Sequence, residues 1–211
     1  MSEPRVFGSY RAGGLLNLWV EARDRLILDG LLRHGAPFGG KRVADIGCGY
    51  DARSTARMQA QAASVLLVDR PLADALKSDA RVDVVEALLP EAMDLIPDAS
   101  IDVLVCSAVL EHLWEPIETL AQFRRVLAPN GVALVSVPSW LAKCVLEFTA
   151  FRLGMSPEEM NDHKAYYGPR DLWPLLVRAG FLPQDIRCWR HWLGLNTFAV
   201  CRRVDRSQRR R

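Results

Sequence analysis

From residue 14 onward the apolar and polar positions follow two rhythms. Residues 14–34 set Leu15, Leu18, Trp19, Ala22, Leu26 and Ile27 on one side of a helical wheel, which predicts an amphipathic helix. Short apolar, β-branched runs follow: RVADIG (42–47), SVLLVD (64–69), RVDVVEA (81–87), IDVLVCSA (101–108) and GVALVSVP (131–138). Between them DARSTARMQAQAA, RPLADALKSD and PIETLAQFRRVLAPNG carry helix-like spacing. Nearly continuous apolar strands alternating with helices predict a parallel sheet covered on both faces.

The last third changes pattern. Residues 139–153 predict a helix, 157–168 a loop, and PRDLWPLLVRAGF a helix stopped at Gly180. FLPQDIRCWR and NTFAVCRRV predict two strands joined by a short turn around 193–196. A connection this short fits an antiparallel pair and excludes a parallel crossover. The expected fold class is α/β: a mostly parallel, seven-stranded sheet ending in an antiparallel hairpin, with helices on both faces. One domain is expected over residues 1–204, with a helical cap at 1–38 and a lid insertion at about 139–168. Residues 205–211 form an Arg-rich tail.

Composition narrows the class. Half of the 211 residues are apolar, enough for a full-sized core. A net charge of +2 gives no global footprint for nucleic acid, so none is expected as a partner. Six of the last ten residues are Arg, a run read as a solvated tail, with contact to anionic lipid or RNA as the other reading. The five cysteines are scattered and form no C-x-x-C pair, which argues against a zinc cluster or a disulfide framework. The first residues lack a signal-peptide layout, and no uncharged apolar run approaches the roughly 20 residues that cross a bilayer. A cytoplasmic protein without a membrane span is expected; its oligomeric state is not written in these patterns.

The sharpest chemistry lies in RVADIGCGYDA (42–52). Gly47, Gly49 and Ala52 fit G-x-G-x-x-G/A, a strand-to-helix turn that brings a ligand onto backbone N–H groups. The same glycines also serve plain strand–helix packing. Asp69 ends the second strand 22 residues after Gly47, where a carboxylate can accept both hydroxyls of a ribose. Asp45, two residues before the first glycine, would repel a pyrophosphate and attract an ammonium and a sulfonium. It can equally brace the loop through backbone N–H groups. S-adenosylmethionine (SAM) has an adenosine, both positive charges and no phosphate. An NAD-dependent Rossmann oxidoreductase fits the glycine motif but leaves Asp45 unexplained, and a non-catalytic SAM-binding protein is a further alternative.

VADIGCG, Asp69, IDVLVCSAVLEHL and FRRVLAPNGVALVSVP together resemble the class I SAM-dependent methyltransferases, over about residues 40–138. The branch is the one shared by quinone-type and many small-molecule enzymes. DHKAYYGPRDLWPLLVRAGF also resembles methyltransferases of glycan pathways. The resemblance implies SAM as cofactor, with Asp45, Gly47, Cys48 and Gly49 along its methionine part. It further implies Asp69 on the ribose, Arg70 at the adenine edge, Glu86 and Ala87 facing the adenine, and Ser107 near the reacting methyl. Two positions depart from the family pattern: Asp51 replaces its third glycine and is read as a helix cap, and Asn130 replaces a turn glycine.

His112 follows the fourth strand and is a candidate general base or a shaper of the turn; His163 is a second candidate. Tyr166 and Tyr167 are candidate substrate contacts or core residues. No N-P-P-Y-type motif follows the fourth strand to hold an amino group, which favours an oxygen nucleophile. The expected partner is a small-molecule acceptor, with a sugar, a lipid-linked or an aromatic compound as candidates. No carboxylate cluster in the sequence suggests a metal.

Overall fold

The computed structural model describes residues 25, 29, 33, 38–53, 58–153 and 161–204, with only the backbone of 149–151 and 153. Residues 25, 29 and 33 are helical; the rest of the helix expected over 14–34, most of the 1–38 cap and the 205–211 tail lie outside the described residues. Seven strands form one sheet: β1 (Arg42–Ile46), β2 (Ser64–Val68), β3 (Val82–Val85), β4 (Ile101–Ser107), β5 (Leu127–Pro138), β6 (Ile186–His191) and β7 (Asn196–Arg202). Their order is β3-β2-β1-β4-β5-β7-β6. The first five are parallel, and β7 runs antiparallel to both β5 and β6.

The described helices are α1 (Asp74–Lys77), α2 (Pro116–Val126), α3 (Trp140–Leu153) and α4 (Pro169–Arg178), with 3-10 turns at Glu91–Leu95, Leu110–His112 and Pro183–Asp185. Period-two alternation along the strands splits the core into two layers. On one face Ala44, Ile46, Leu104, Cys106, Ala133, Val135 and Val137 pack against Leu120 and Phe123 of α2 and Leu172 and Leu176 of α4. On the other, Val43, Val65, Leu67, Val103, Val105, Leu134 and Phe198 meet Phe38, Ala52, Met58 and Leu76 of α1. Among the described residues no helix is long and apolar enough to cross a membrane.

Three boundaries differ from the sequence reading. β5 begins at Leu127 rather than 131, because the APNG turn bulges out between two ladder positions, Ile101↔Leu127 and Val103↔Val132. Asn130 takes the left-handed conformation there (φ +64°), and a Cβ on Gly131 would lie 2.8 Å from the Ala128 carbonyl oxygen. β6 begins at Ile186 rather than 181: Pro183, which has no N–H for a ladder, opens a 3-10 turn, and Phe181 is buried in the core. β3 stops at Val85, so Glu86 and Ala87 stand just beyond its carboxyl end.

Candidate active site

In an open α/β sheet ligands bind beyond the carboxyl ends of the strands, where the order reverses. Here the reversal lies between β1 and β4. β1 runs into Gly47 and Gly49, both left-handed (φ +72° and +77°), and the N–H groups of Gly47 and Cys48 donate to the Val68 carbonyl. A Cβ on Gly47 would lie 2.2 Å from Cγ2 of Val109, so the turn is seated directly on the segment leaving β4. A Cβ on Gly49 would meet nothing within 4 Å.

Asp69 braces this turn: its Oδ2 accepts the Gly49 N–H at 2.7 Å and its Oδ1 the Arg70 N–H at 2.6 Å. Asp45 itself is buried, 4% exposed, as is Glu111 at 1%. Burial pushes the Cys48 thiol far above its usual range, and the carboxylates of Asp45 and Asp69 push it further. Burial likewise raises the Cys106 thiol, helped by Glu111 and Asp45. Asp45 and Asp69 thus act electrostatically on Cys48 within the glycine turn. Carboxylates so close to the turn suit a cationic, phosphate-free cofactor such as SAM better than a pyrophosphate.

The other expected cofactor residues are distributed around the same rim. The Glu86 oxygens are both engaged, Oε1 by the Leu72 N–H at 3.0 Å and Oε2 by Lys77 at 2.8 Å, which ties β3 to α1. Ser107 closes β4 opposite Ser136 of β5, and Ala108 next to it is held at φ +56° by its N–H bond to the Ser136 carbonyl. A strained non-glycine residue at a strand end is the kind of backbone outlier that clusters at functional sites. Asp51, read as a helix cap, pairs with Arg53 at 3.6 Å; residues 54–57 lie outside the described residues.

Beyond α3 the chain returns to the segment leaving β4. The N–H groups of Lys164 and Ala165 donate to the Glu111 carbonyl (2.6 and 3.3 Å), and that of Tyr167 to the Pro138 carbonyl at 3.1 Å. These bonds lay residues 162–167 across the 3-10 turn that carries Glu111 and His112. His112 Nδ1 meets Asp162 Oδ2 at 3.0 Å, and Lys164 Nζ grips Asp162 Oδ1 at 2.6 Å. Burial alone would raise the Asp162 carboxyl, but the bonds from Lys164 and His112 outweigh it and leave it below its ordinary range. His163 stands edge-on to His112 with 4.7 Å between ring centroids, its Nδ1 3.1 Å from the Tyr166 hydroxyl. Burial, then the nearby His112 charge, lowers His163 to about 4, so its ring is neutral at working pH.

Tyr166 and Tyr167 are both buried at 7% exposure. Tyr167 donates to the Leu110 carbonyl at 3.4 Å, and Tyr166 leans on Trp140 of α3 at 5.7 Å. Burial raises both phenols, Tyr166 to about 12, so neither takes a proton near neutrality. The fold thus brings His112, His163 and Tyr166 together and adds Asp162 and Lys164, which sequence reasoning did not single out. The acidic residue beside His163 in NDHK was the available signal. Glu111, His112 and His163 also offer one donor atom each within 4.8 Å of one another, a donor set of the type that holds divalent ions.

The methyltransferase-domain family model matches residues 19–184 of the chain. A probable S-adenosylmethionine-dependent methyltransferase of Mycolicibacterium smegmatis is 31% identical over 158 residues, which cover 74% of this chain and 58% of the relative. A ubiquinone biosynthesis O-methyltransferase of Ralstonia nicotianae is 30% identical over 160 residues, covering 72% of this chain and 67% of that one. In fold, the crystal structure of a SAM-dependent methyltransferase from Archaeoglobus fulgidus aligns with a TM-score of 0.61 at 18% identity, over 90% of this chain and 100% of its own. Sheet order, glycine turn and family match agree: the chain belongs to the class I SAM-dependent methyltransferases.

Proposed function

We propose that this protein transfers the methyl group of SAM to an oxygen of a small-molecule acceptor, with His112 as the base that removes the hydroxyl proton. The supporting observation is the placement of His112 on the segment that also seats the glycine turn, with its Nδ1 taken by Asp162. Bound SAM supplies an activated methyl carbon on a positively charged sulfur. Asp45, Glu111 and Asp69 favour that charge, and Gly47, Cys48 and Gly49 line its methionine part. Asp69 retains acceptor capacity for ribose hydroxyls beside its two backbone bonds, with Arg70, Ala87 and the backbone near Glu86 around the adenine and Ser107 near the methyl.

With SAM held by these residues, the acceptor oxygen would take the methyl carbon while the carbon–sulfur bond broke and left its electron pair on sulfur. The hydroxyl proton passes to Nε2 of His112. Alignment of nucleophile and carbon is the larger contribution, worth up to roughly 7–11 kcal/mol in favourable cases. The described residues of 139–153 and 161–168 act as the lid, and Tyr166 and His163 form its inner wall. The name of the Ralstonia relative, an O-methyltransferase, supports oxygen as the atom methylated; phenolic, sugar and lipid-linked hydroxyls are the acceptor classes to test.

Calorimetry with SAM and NADH, followed by mass spectrometry of 3,4-dihydroxybenzoate and methyl glucoside incubated with enzyme and SAM, tests the reading. SAM is expected to bind and NADH not, with a methylated product in one arm that His112→Gln reduces by about 100-fold or more. Binding of NADH without SAM would restore the oxidoreductase reading. SAM binding with no product across a wider hydroxyl panel would favour a non-catalytic SAM-binding protein.

A further inference from the structure

Two histidines stand side by side at the acceptor side of this site, and their partners differ. His163 shares its Nδ1 with a phenol, Tyr166 at 3.1 Å. His112 shares its Nδ1 with a carboxylate, Asp162 at 3.0 Å. A phenol can donate or accept, so it leaves either tautomer of His163 open. An ionised carboxylate only accepts. It therefore places the proton of neutral His112 on Nδ1 and the lone pair on Nε2.

The carboxylate is itself held from both sides. Lys164 Nζ lies 2.6 Å from Oδ1, the oxygen not used by His112, and 2.9 Å from the Asp162 carbonyl. Lys164 is fixed in turn by its backbone bond to Glu111, the residue before His112, and its ammonium sits 5.4 Å from the Trp114 ring. Loop and turn are thus locked in register by backbone bonds while the Lys164–Asp162–His112 chain runs between their side chains. Tyr166 and Tyr167 remain protonated, and the Nδ1 of His163 meets a phenol where that of His112 meets a carboxylate.

We propose that Asp162 is a positioning residue for the methyl-transfer base: clamped by Lys164, it fixes the orientation and tautomer of His112 so that Nε2 faces the acceptor hydroxyl. The inference rests on the O-methyl transfer proposed above. During the reaction Nε2 gains the acceptor proton, Asp162 keeps its negative charge, and the imidazolium is stabilised between them until the proton leaves to solvent.

The test is long-range proton–nitrogen NMR on the full chain labelled with nitrogen-15 histidine, with His112→Gln supplying the assignment. Wild type is expected to show His112 protonated at Nδ1 only. Asp162→Asn is expected to give the Nε2-protonated form or a mixture, Asp162→Glu to restore the wild-type signature, and Lys164→Met to weaken it. In parallel, kcat for the hydroxyl probe that wild type methylates is expected to fall about 100-fold or more in Asp162→Asn, with the KM for SAM and the melting temperature little changed. An unaltered tautomer in Asp162→Asn, or a kcat within about threefold of wild type, overturns the proposal. So does a rate abolished by EDTA and restored by Zn2+, which would put an ion among Glu111, His112 and His163. The NMR readout needs no acceptor, so failure of methyl transfer itself would refute the functional reading and leave the tautomer result standing on its own.

Discussion

A Cβ built on Gly47 falls 2.2 Å from Val109 Cγ2, while one built on Gly49 meets nothing within 4 Å, although both glycines are left-handed. The two positions should respond differently to the same substitution. Gly47→Ala adds a clash with a packed side chain to an unfavourable φ and is expected to destabilise by about 2–4 kcal/mol. Gly49→Ala incurs only the backbone term, about 1–2 kcal/mol, but its methyl enters the open side of the turn. It should therefore lower SAM affinity by about tenfold, some 1.4 kcal/mol, with a smaller loss of stability. Urea denaturation and calorimetry on the two variants separate these effects; equal stability losses with unchanged SAM affinity in Gly49→Ala would remove the cofactor from that side.

The segment 161–168 packs Asp162 and His163 against the turn that carries His112, and its stability should carry a pH signature. His163 has a folded-state pKa of about 4, against roughly 6.5 for an unperturbed histidine. The unfolded chain binds the proton first, so stability is complete above pH 6.5 and is lost as pH falls toward 4. The slope from this one group is at most about 1.4 kcal/mol per pH unit, less after allowance for its partial exposure. His163→Gln should flatten the wild-type fall in unfolding free energy over that window; an unchanged slope would show that the ring is accessible and titrates normally. Legibility in the sequence also divides at this scale. The strands and the terminal hairpin were readable because apolar periodicity and a short turn are local properties. The bulge at Asn130 was not, because it follows from ladder contacts that no periodicity encodes, and the apolar run from Phe181 hid the Pro183 turn that shortens β6. Asp162 was missed for the same reason: its partner lies 50 residues away, and the backbone bonds of Lys164 and Ala165 to Glu111 bring them into register.

Across the whole molecule, Asp45 and Glu111 are buried and Asp69 is half-buried at the carboxyl end of the parallel strands, an arrangement expected to discriminate between ligands by charge. Asp45→Asn is expected to weaken SAM by about tenfold and S-adenosylhomocysteine, whose sulfur is neutral, by less. Because the carboxylate is buried, the difference should persist at high salt. Calorimetry with both ligands at low and high ionic strength checks this, and equal losses would assign Asp45 a purely architectural part. The sheet order has a consequence of a different kind, for synthesis. β7 is the last strand made, yet it lies between β5 and β6 and pairs along Val132–Pro138. Until residues 196–202 leave the ribosome, one edge of the long, apolar β5 has no neighbour, and β6 has no place in the sheet. An unpaired apolar strand of this sort is a template for association with other chains. A nascent chain stalled before Asn196 is therefore the form of this protein that most needs a chaperone.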